Sequence, residues 1–432
     1  MLSSDFQSLE ELRPFASKCP RCSLCKFPPL VRVESARYSG ICPSYEELKV
    51  HASSGGGMLV LAMSLLDGRS EPTGAVRRIA FGCHACGGCD VACKFSADIE
   101  VQETILQLRA KLFAERGPLP GHDAVLASLA RRGHPLPEHD TDLAAGLAAL
   151  GLRPRAGASV LLWLGPHYAL DARREATLRR ALSILDRAGV AWTTLGEREP
   201  YTGRAALEIG DRATFRGFAE RAARAIEGSG AARIVCLSAE DYATLRADVP
   251  RVARVSARVS HLVELYDELL ARRRLRPRGR IAKIATWHDT SYLGRLSEPF
   301  IAWRGVARKV EGQIEIYDPP RPVRGGGGGC YEPPRRVLAR ISGLVLREMP
   351  RRREYAFDSG ESGQAGAALP DLALATARRR AEEARSTGAG LLVTECPQSL
   401  ALLEQACAAG GPGLVATSLT DLLATSLEGD LS

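Results

Sequence analysis

The 432 residues carry 58 Lys and Arg against 50 Asp and Glu, a net charge of +8, with 45% hydrophobic and 25% charged side chains. That balance is ordinary for a soluble globular chain of two or three domains. The longest apolar run, "MLVLAMSLL" at 58–66, is far short of the roughly 20 residues of a membrane-crossing helix, so no transmembrane segment is expected. Arginine-dense stretches at 271–280 ("ARRRLRPRGR") and 350–354 ("PRRRE") lack the interleaved aromatic residues of a nucleic-acid platform. Nucleic acid is therefore not an expected partner, and docking of an acidic protein is the better use for these charges.

The N-terminal stretch "MLSSDFQSLEELRPFASKC" has no basic start, apolar middle or small-residue cleavage site, so a cytoplasmic location is expected. Eight of the twelve cysteines fall between residues 19 and 93, and such clusters without a secretion signal point to metal rather than disulfides. Cys83-x2-Cys86-x2-Cys89-x3-Cys93 is the spacing that gives three thiolates to one cubane cluster and sends the fourth to another. A partner motif exists: Cys19-x2-Cys22-x2-Cys25, then Cys42 followed by Pro43. By the crossing rule of two-cluster ferredoxins, one [4Fe-4S] cluster takes Cys19, Cys22, Cys25 and Cys93, and a second takes Cys83, Cys86, Cys89 and Cys42. Zinc is the rival, because two C-x-x-C pairs make a four-thiolate site, but the third cysteine of each triplet would then be surplus. Sixteen residues separate Cys25 from Cys42 where three are usual, and Lys94 stands where proline often follows. His84, inside the motif, is expected as a surface residue or a hydrogen-bond donor rather than a ligand.

The segments between the cysteines, such as 43–57 and 96–117, look helical. Residues 117–157 are rich in Gly, Pro, Ala and His and read as a linker with one or two short helices. From 158 onward, apolar runs alternate with amphipathic stretches. "ASVLLWLG", "VAWTTL" and "ARIVCLS" are predicted strands separated by helices, which implies βαβ units and a parallel sheet. The pattern restarts at "RIAKIATWHD" (280–289), continues through "GLVLREM", and closes on the strand "LLVTECPQ". Gly203 and Gly360 correspond, as do Val235 and Val393, an internal duplication. An insertion at about 300–330 ends in "RGGGGGC", which suits a flexible loop.

Together these motifs resemble the iron-sulfur subunits related to heterodisulfide reductase. In that family a two-cluster helical ferredoxin domain precedes two CCG domains, and the group includes relatives in glycerol-3-phosphate and lactate oxidation. "HDTSYLGR" (288–295), "YEPPRRVL", "VTECPQS" and "YTGRAALEIGD" (201–211) carry the likeness in the second half. The resemblance implies an α+β multidomain fold. Residues 1–116 would form an all-α ferredoxin-like dicluster domain and 117–157 a linker. Residues 158–279 and 280–432 would then be duplicated α/β parallel-sheet domains of CCG type, degenerate in their cysteines.

Where relatives supply thiols, the second copy holds Ser291, Asp358, Ser359, Cys396 and Ser399, and the first holds Pro166, Tyr201, Thr202 and a region around Cys236. Serine and aspartate are poor substitutes for thiolates on iron, so no non-cubane cluster is expected in the CCG domains. Cys236 and Cys396 are expected as buried structural residues at strands, Cys407 on a helix face, and Cys330 on a mobile loop. His288 and Asp289 are expected to fix a loop rather than to catalyse.

The resulting expectation is an electron-transfer subunit of an oxidoreductase complex with no catalytic residue of its own. The resemblance implies a flavoprotein dehydrogenase or electron-transfer flavoprotein as partner. A further membrane or quinone-linked subunit would make the location peripheral to the inner membrane. The alternatives are a catalytic heterodisulfide reductase-like subunit using Cys396 and Cys236, and a zinc-stabilised interaction protein.

Overall fold

The computed structural model describes residues 8–428, apart from 97, 98, 300, 302, 304 and 313. The chain combines a helical N-terminal part with two parallel α/β layers, an α+β arrangement. The described residues from 8 to 116 wind short helices around the cysteines and end in the longer helix Val101–Arg116. The helix Gly55–Leu66 starts from Ser54, whose hydroxyl accepts from the Gly57 N–H, and packs Met58, Leu59, Ala62 and Leu65 against Ile105, Leu108 and Leu112.

Residues 117–157 hold two helices, Pro120–Arg132 and Leu143–Ala149. They are not a free tether: Val125, Leu129, Leu143 and Leu147 are buried in the core of the following α/β layer.

That layer contains β1 (Val160–Trp163), β2 (Trp192–Thr194), β3 (Arg233–Cys236) and β4 (Arg258–His261), parallel in the order β2-β1-β3-β4. All four residues of β1 are buried, as expected of an inner parallel strand covered on both faces. The helix Glu175–Arg187 buries Leu178, Ala181, Leu182 and Leu185 on one stripe. The helix Arg212–Ser229 is capped by Asp211 and ended by a left-handed Gly230.

The second layer contains β5 (Ile284–Trp287), an excursion through β6 (Val306–Val310) and β7 (Ile314–Asp318), then β8 (Val345–Leu346), β9 (Leu391–Thr394) and β10 (Val415–Ser418). Leaving out the excursion, the parallel order is β8-β5-β9-β10. Both layers therefore run second, first, third, fourth. Gly203 and Gly360, expected to correspond, have φ of 93° and 95°.

Three expectations need correction. "LLVTECPQ" does not close the fold, because β10 and the helix Leu419–Glu428 follow it. Both fourth strands escaped prediction because each is a four-residue edge strand whose first residue faces solvent. The insertion at 300–330 holds an antiparallel hairpin, β6 against β7. Its glycine tract is tied down, with the Gly326 and Gly328 N–H groups donating to the Glu298 carboxylate at 2.7 and 3.0 Å.

Candidate metal centre

The eight clustered cysteines fall into two groups in space. Cys19, Cys22, Cys25 and Cys93 line one cleft together with His51, Gly56, Leu59 and Val101. Cys42 lies near enough to Cys83, Cys86 and Cys89 for their charges to act on one another, and Cys25 also acts on it more weakly. Each group thus draws three thiols from one motif and one from the other. Among the described residues, no three His, Cys, Asp or Glu side chains converge closely enough to hold one metal ion.

The helix start at Gly55 sits between the groups. A Cβ on Gly55 would stand 2.7 Å from the Cys89 Cβ and 3.3 Å from the Cys25 Cβ, and one on Gly56 would be 3.4 Å from the Cys25 Sγ. Only glycine leaves this room. The Gly56 N–H donates to the Cys25 Sγ at 3.2 Å and the Ala85 N–H to the Cys83 Sγ at 3.3 Å. Backbone donors from Tyr45, Gly88 and Ile99 serve Cys42, Cys86 and Cys93 in the same way.

Burial pushes the Cys86 thiol up to about 11 against the pull of Arg295, and the Cys93 thiol up to about 12 with Asp90 adding to the rise. Burial also raises Cys25, Cys42, Cys83 and Cys89. Such thiols stay protonated until a metal supplies positive charge. Two sets of four thiols, N–H groups aimed at sulfur and a glycine cradle are a donor set that fits iron-sulfur cages.

The two sets differ in exposure. Cys22 is exposed, whereas Cys83 and Cys86 are buried. At the mouth beside Cys22, His51 is held below its usual value by burial and by the Lys26 and Arg21 charges. The loop 83–89 is clamped from behind. Arg109, fully buried, donates to the carbonyls of Ala80 (3.0 Å), Glu208 (2.8 Å), Gly363 (2.8 Å) and Cys83. Arg295 donates to the carbonyls of Cys86 at 2.5 Å and Ala356 at 2.6 Å. Ser362 donates to the His84 carbonyl at 2.9 Å.

His84 itself is not a surface residue: it is buried, with Nε2 3.1 Å from the Thr376 hydroxyl. Sequence reasoning missed Gly55, Gly56 and Arg109. The one available signal for Arg109 was its place in the apolar stripe of Ile105, Leu108 and Leu112.

The second-copy residues that replace thiols do meet. The Ser291 hydroxyl donates to Asp358 Oδ2 at 2.6 Å, joined there by Ser362 at 2.7 Å. Ser359 donates to Glu361 at 2.6 Å and lies 3.0 Å from His288 Nε2. In the first copy Tyr201 donates to Glu240, and Thr202 to Asp241 at 2.7 Å. Hydrogen bonds within the protein thus fill both places, while Glu240 and Glu361 also line an open cleft of about 480 Å³ between the layers. Burial, chiefly, raises Glu240 to about 8 and Glu361 to about 7.

Cys236, Cys396 and Cys407 are buried, and so is Cys330, which was expected on a mobile loop. The Cys330 N–H donates to Leu293 at 3.0 Å. Burial raises all four thiols. Asp289 pairs with Arg335 through two 2.8 Å bonds and accepts from the Arg353 N–H at 2.7 Å, while His288 Nδ1 accepts from Arg380 at 3.0 Å. Both residues hold loops. Within the 350–354 arginine cluster, Arg351 is internal, paired with Glu383 at 2.9 Å.

No family model matches the chain. One component of the dihydromethanophenazine:CoB–CoM heterodisulfide reductase of Methanosarcina acetivorans is 27% identical over 219 residues, 50% of this chain and 46% of that protein. A probable membrane-anchored ferredoxin from Chromohalobacter salexigens is 28% identical over 363 residues, 81% of this chain and 48% of its own length. An EtfAB:quinone oxidoreductase from Syntrophomonas wolfei is 23% identical over 290 residues, 65% of this chain and 36% of its own. The chain spans less than half the length of each of these three relatives. By these relationships the chain is similar to heterodisulfide reductase-related iron-sulfur proteins.

Proposed function

We propose that this chain is an electron-transfer subunit that holds two [4Fe-4S] clusters and relays single electrons between a flavoprotein partner and a further acceptor. The observation that carries this reading is the exchange of one cysteine between motifs: Cys93 shares a cleft with Cys19, Cys22 and Cys25, while Cys42 lies with Cys83, Cys86 and Cys89. When bound, each cluster supplies a centre that takes up and releases one electron.

The chain's own residues do the rest. Gly55 keeps the two thiol groups adjacent, since Cys25 and Cys89 flank it. Backbone N–H groups of Gly56, Ala85 and Gly88 offset the negative charge that would gather on sulfur. Arg109 and Arg295 fix the second loop and bring positive charge to the buried site, and the apolar wall of Met58, Ile105 and Leu108 excludes water.

The domain layout in this proposal is a dicluster domain over 1–116, a connecting pair of helices over 117–157, and CCG-type domains over 158–279 and 280–432. These two domains act as scaffold, with Ser291, Asp358, Ser359, Tyr201 and Thr202 bonded among themselves and their neighbours rather than to metal. The similarity to an EtfAB:quinone oxidoreductase supports an electron-transfer flavoprotein as donor and a quinone-linked acceptor.

The test is iron and sulfide analysis with low-temperature EPR on anaerobically purified protein. About eight irons per chain and dithionite-induced signals support the reading. A colourless protein with stoichiometric zinc overturns it.

A further inference from the structure

The 16 residues between Cys25 and Cys42 include an exposed stretch beside the exposed thiol. Cys22 is the exposed member of the eight clustered cysteines. Beside it in the chain stand Phe27, Leu30 and Val31, exposed by 39%, 57% and 79%. The Phe27 ring meets Tyr45 edge-on at 5.6 Å. Tyr45 belongs to the helix Pro43–Leu48, whose last residue Leu48 is exposed, as is Val50 beyond it, and His51 returns to the Cys22 cleft. Five of the fourteen exposed large apolar side chains among the described residues thus lie within 27–50. Isolated apolar residues on a surface need no explanation, but a concentration of them marks an interaction site.

The charge of the segment is net positive. Between 18 and 37 the chain carries Lys18, Arg21, Lys26, Arg32 and Arg37 against Glu34, with Lys18 paired to Glu315 at 3.2 Å, Arg37 paired to Glu382 and Lys26 largely buried, so the charge stays net basic around Arg21 and Lys26. Arg21 and Lys26 set the positive field felt at His51. An apolar centre with a basic rim, next to the exposed thiol of a redox centre, suits an acidic partner that must bring its own centre close and then leave.

We infer that the surface formed by residues 21–31 and 48–51 is the docking face for an acidic one-electron carrier protein, through which electrons enter or leave at the Cys22 side. The inference rests on the two-cluster reading above. On the other side, the Cys83–Cys89 loop is backed by Arg109, Arg295 and Ser362, and Cys83 and Cys86 are buried.

The experiment uses the anaerobically purified, full chain and an acidic flavodoxin as probe, with electron transfer followed by stopped flow. For the parent chain the second-order rate falls at least tenfold between about 50 and 500 mM salt, as screening removes steering. Leu30→Glu combined with Val31→Glu lowers the rate at least tenfold, while iron content and reduction by methyl viologen stay unchanged. The control Val415→Glu, on the far edge strand, leaves the rate alone. Equal rates for all three chains, or an equal loss in the Val415→Glu control, overturns the docking face while leaving the clusters in place. A parent chain without iron overturns the two-cluster reading and the docking face with it.

Discussion

Gln398 donates from Nε2 to Oε2 of Glu240, joining two side chains 158 residues apart that occupy matching places after β9 and β3. The contact stitches the duplicated halves at their cleft, and Glu240 takes a second hydrogen bond from Tyr201. Burial raises Glu240 to about 8, and Asp241, Glu199, Glu361 and Glu395 to about 7.

These raised acids set the sign of the pH dependence. An acid that holds its proton more tightly when folded favours the native state below its unfolded value, and that advantage is lost as pH rises towards the folded value. Stability therefore falls from about pH 5 to pH 8. Glu240→Gln, which keeps the shape without the ionisation, raises the melting temperature at pH 8 by about 2 °C and leaves it unchanged at pH 5. Calorimetry across the range is the check; a steeper fall in the variant contradicts the assignment.

The cysteine exchange predicts a pattern of losses. Cys93→Ser and Cys42→Ser each reduce iron from about eight to about four atoms per chain. Adding Cys22→Ser to Cys93→Ser costs no further iron, whereas adding Cys86→Ser removes the remainder. If Cys86→Ser proves silent on the Cys93→Ser background, the thiols are grouped by motif and not across motifs.

Gly55 is the point shared by both groups, so Gly55→Ala reaches both. Its methyl would press on Cys89 and Val101 at 2.7 and 3.0 Å. Iron should fall below half of the parent value, with a smaller loss in Gly56→Ala, whose methyl meets sulfur at 3.4 Å. Elemental analysis of freshly purified variants decides this.

Arg109 joins the cysteine loop to both α/β layers through the carbonyls of Cys83, Glu208 and Gly363. Arg109→Ala leaves these acceptors buried and unpaired, at a cost of about 3 kcal/mol. Arg109→Lys restores little, because an ammonium lacks the planar fork. Denaturant titration should show both variants unfolding earlier than the parent.

Cys396 donates to the Gln398 side chain at 3.2 Å and is buried. Cys396→Ser should leave iron content, EPR signals and electron-transfer rate unaltered. A lost turnover with intact clusters would instead favour disulfide chemistry in the second half.

Some of this molecule was legible from spacing alone. The two cysteine motifs and the βαβ repeats were local patterns, which follow from the periodicities of helix, strand and ligand, whereas the loss of thiols at Ser291, Asp358 and Ser359 was implied by the family resemblance. The tertiary structure buried His84 and Cys330, which spacing does not reveal. It also turned the insertion into the β6–β7 hairpin, added the fourth strands β4 and β10, and placed Arg109 behind Cys83. Those features depend on pairings across tens to hundreds of residues. There, burial and hydrogen-bond satisfaction, which no short window of sequence records, select one arrangement among many.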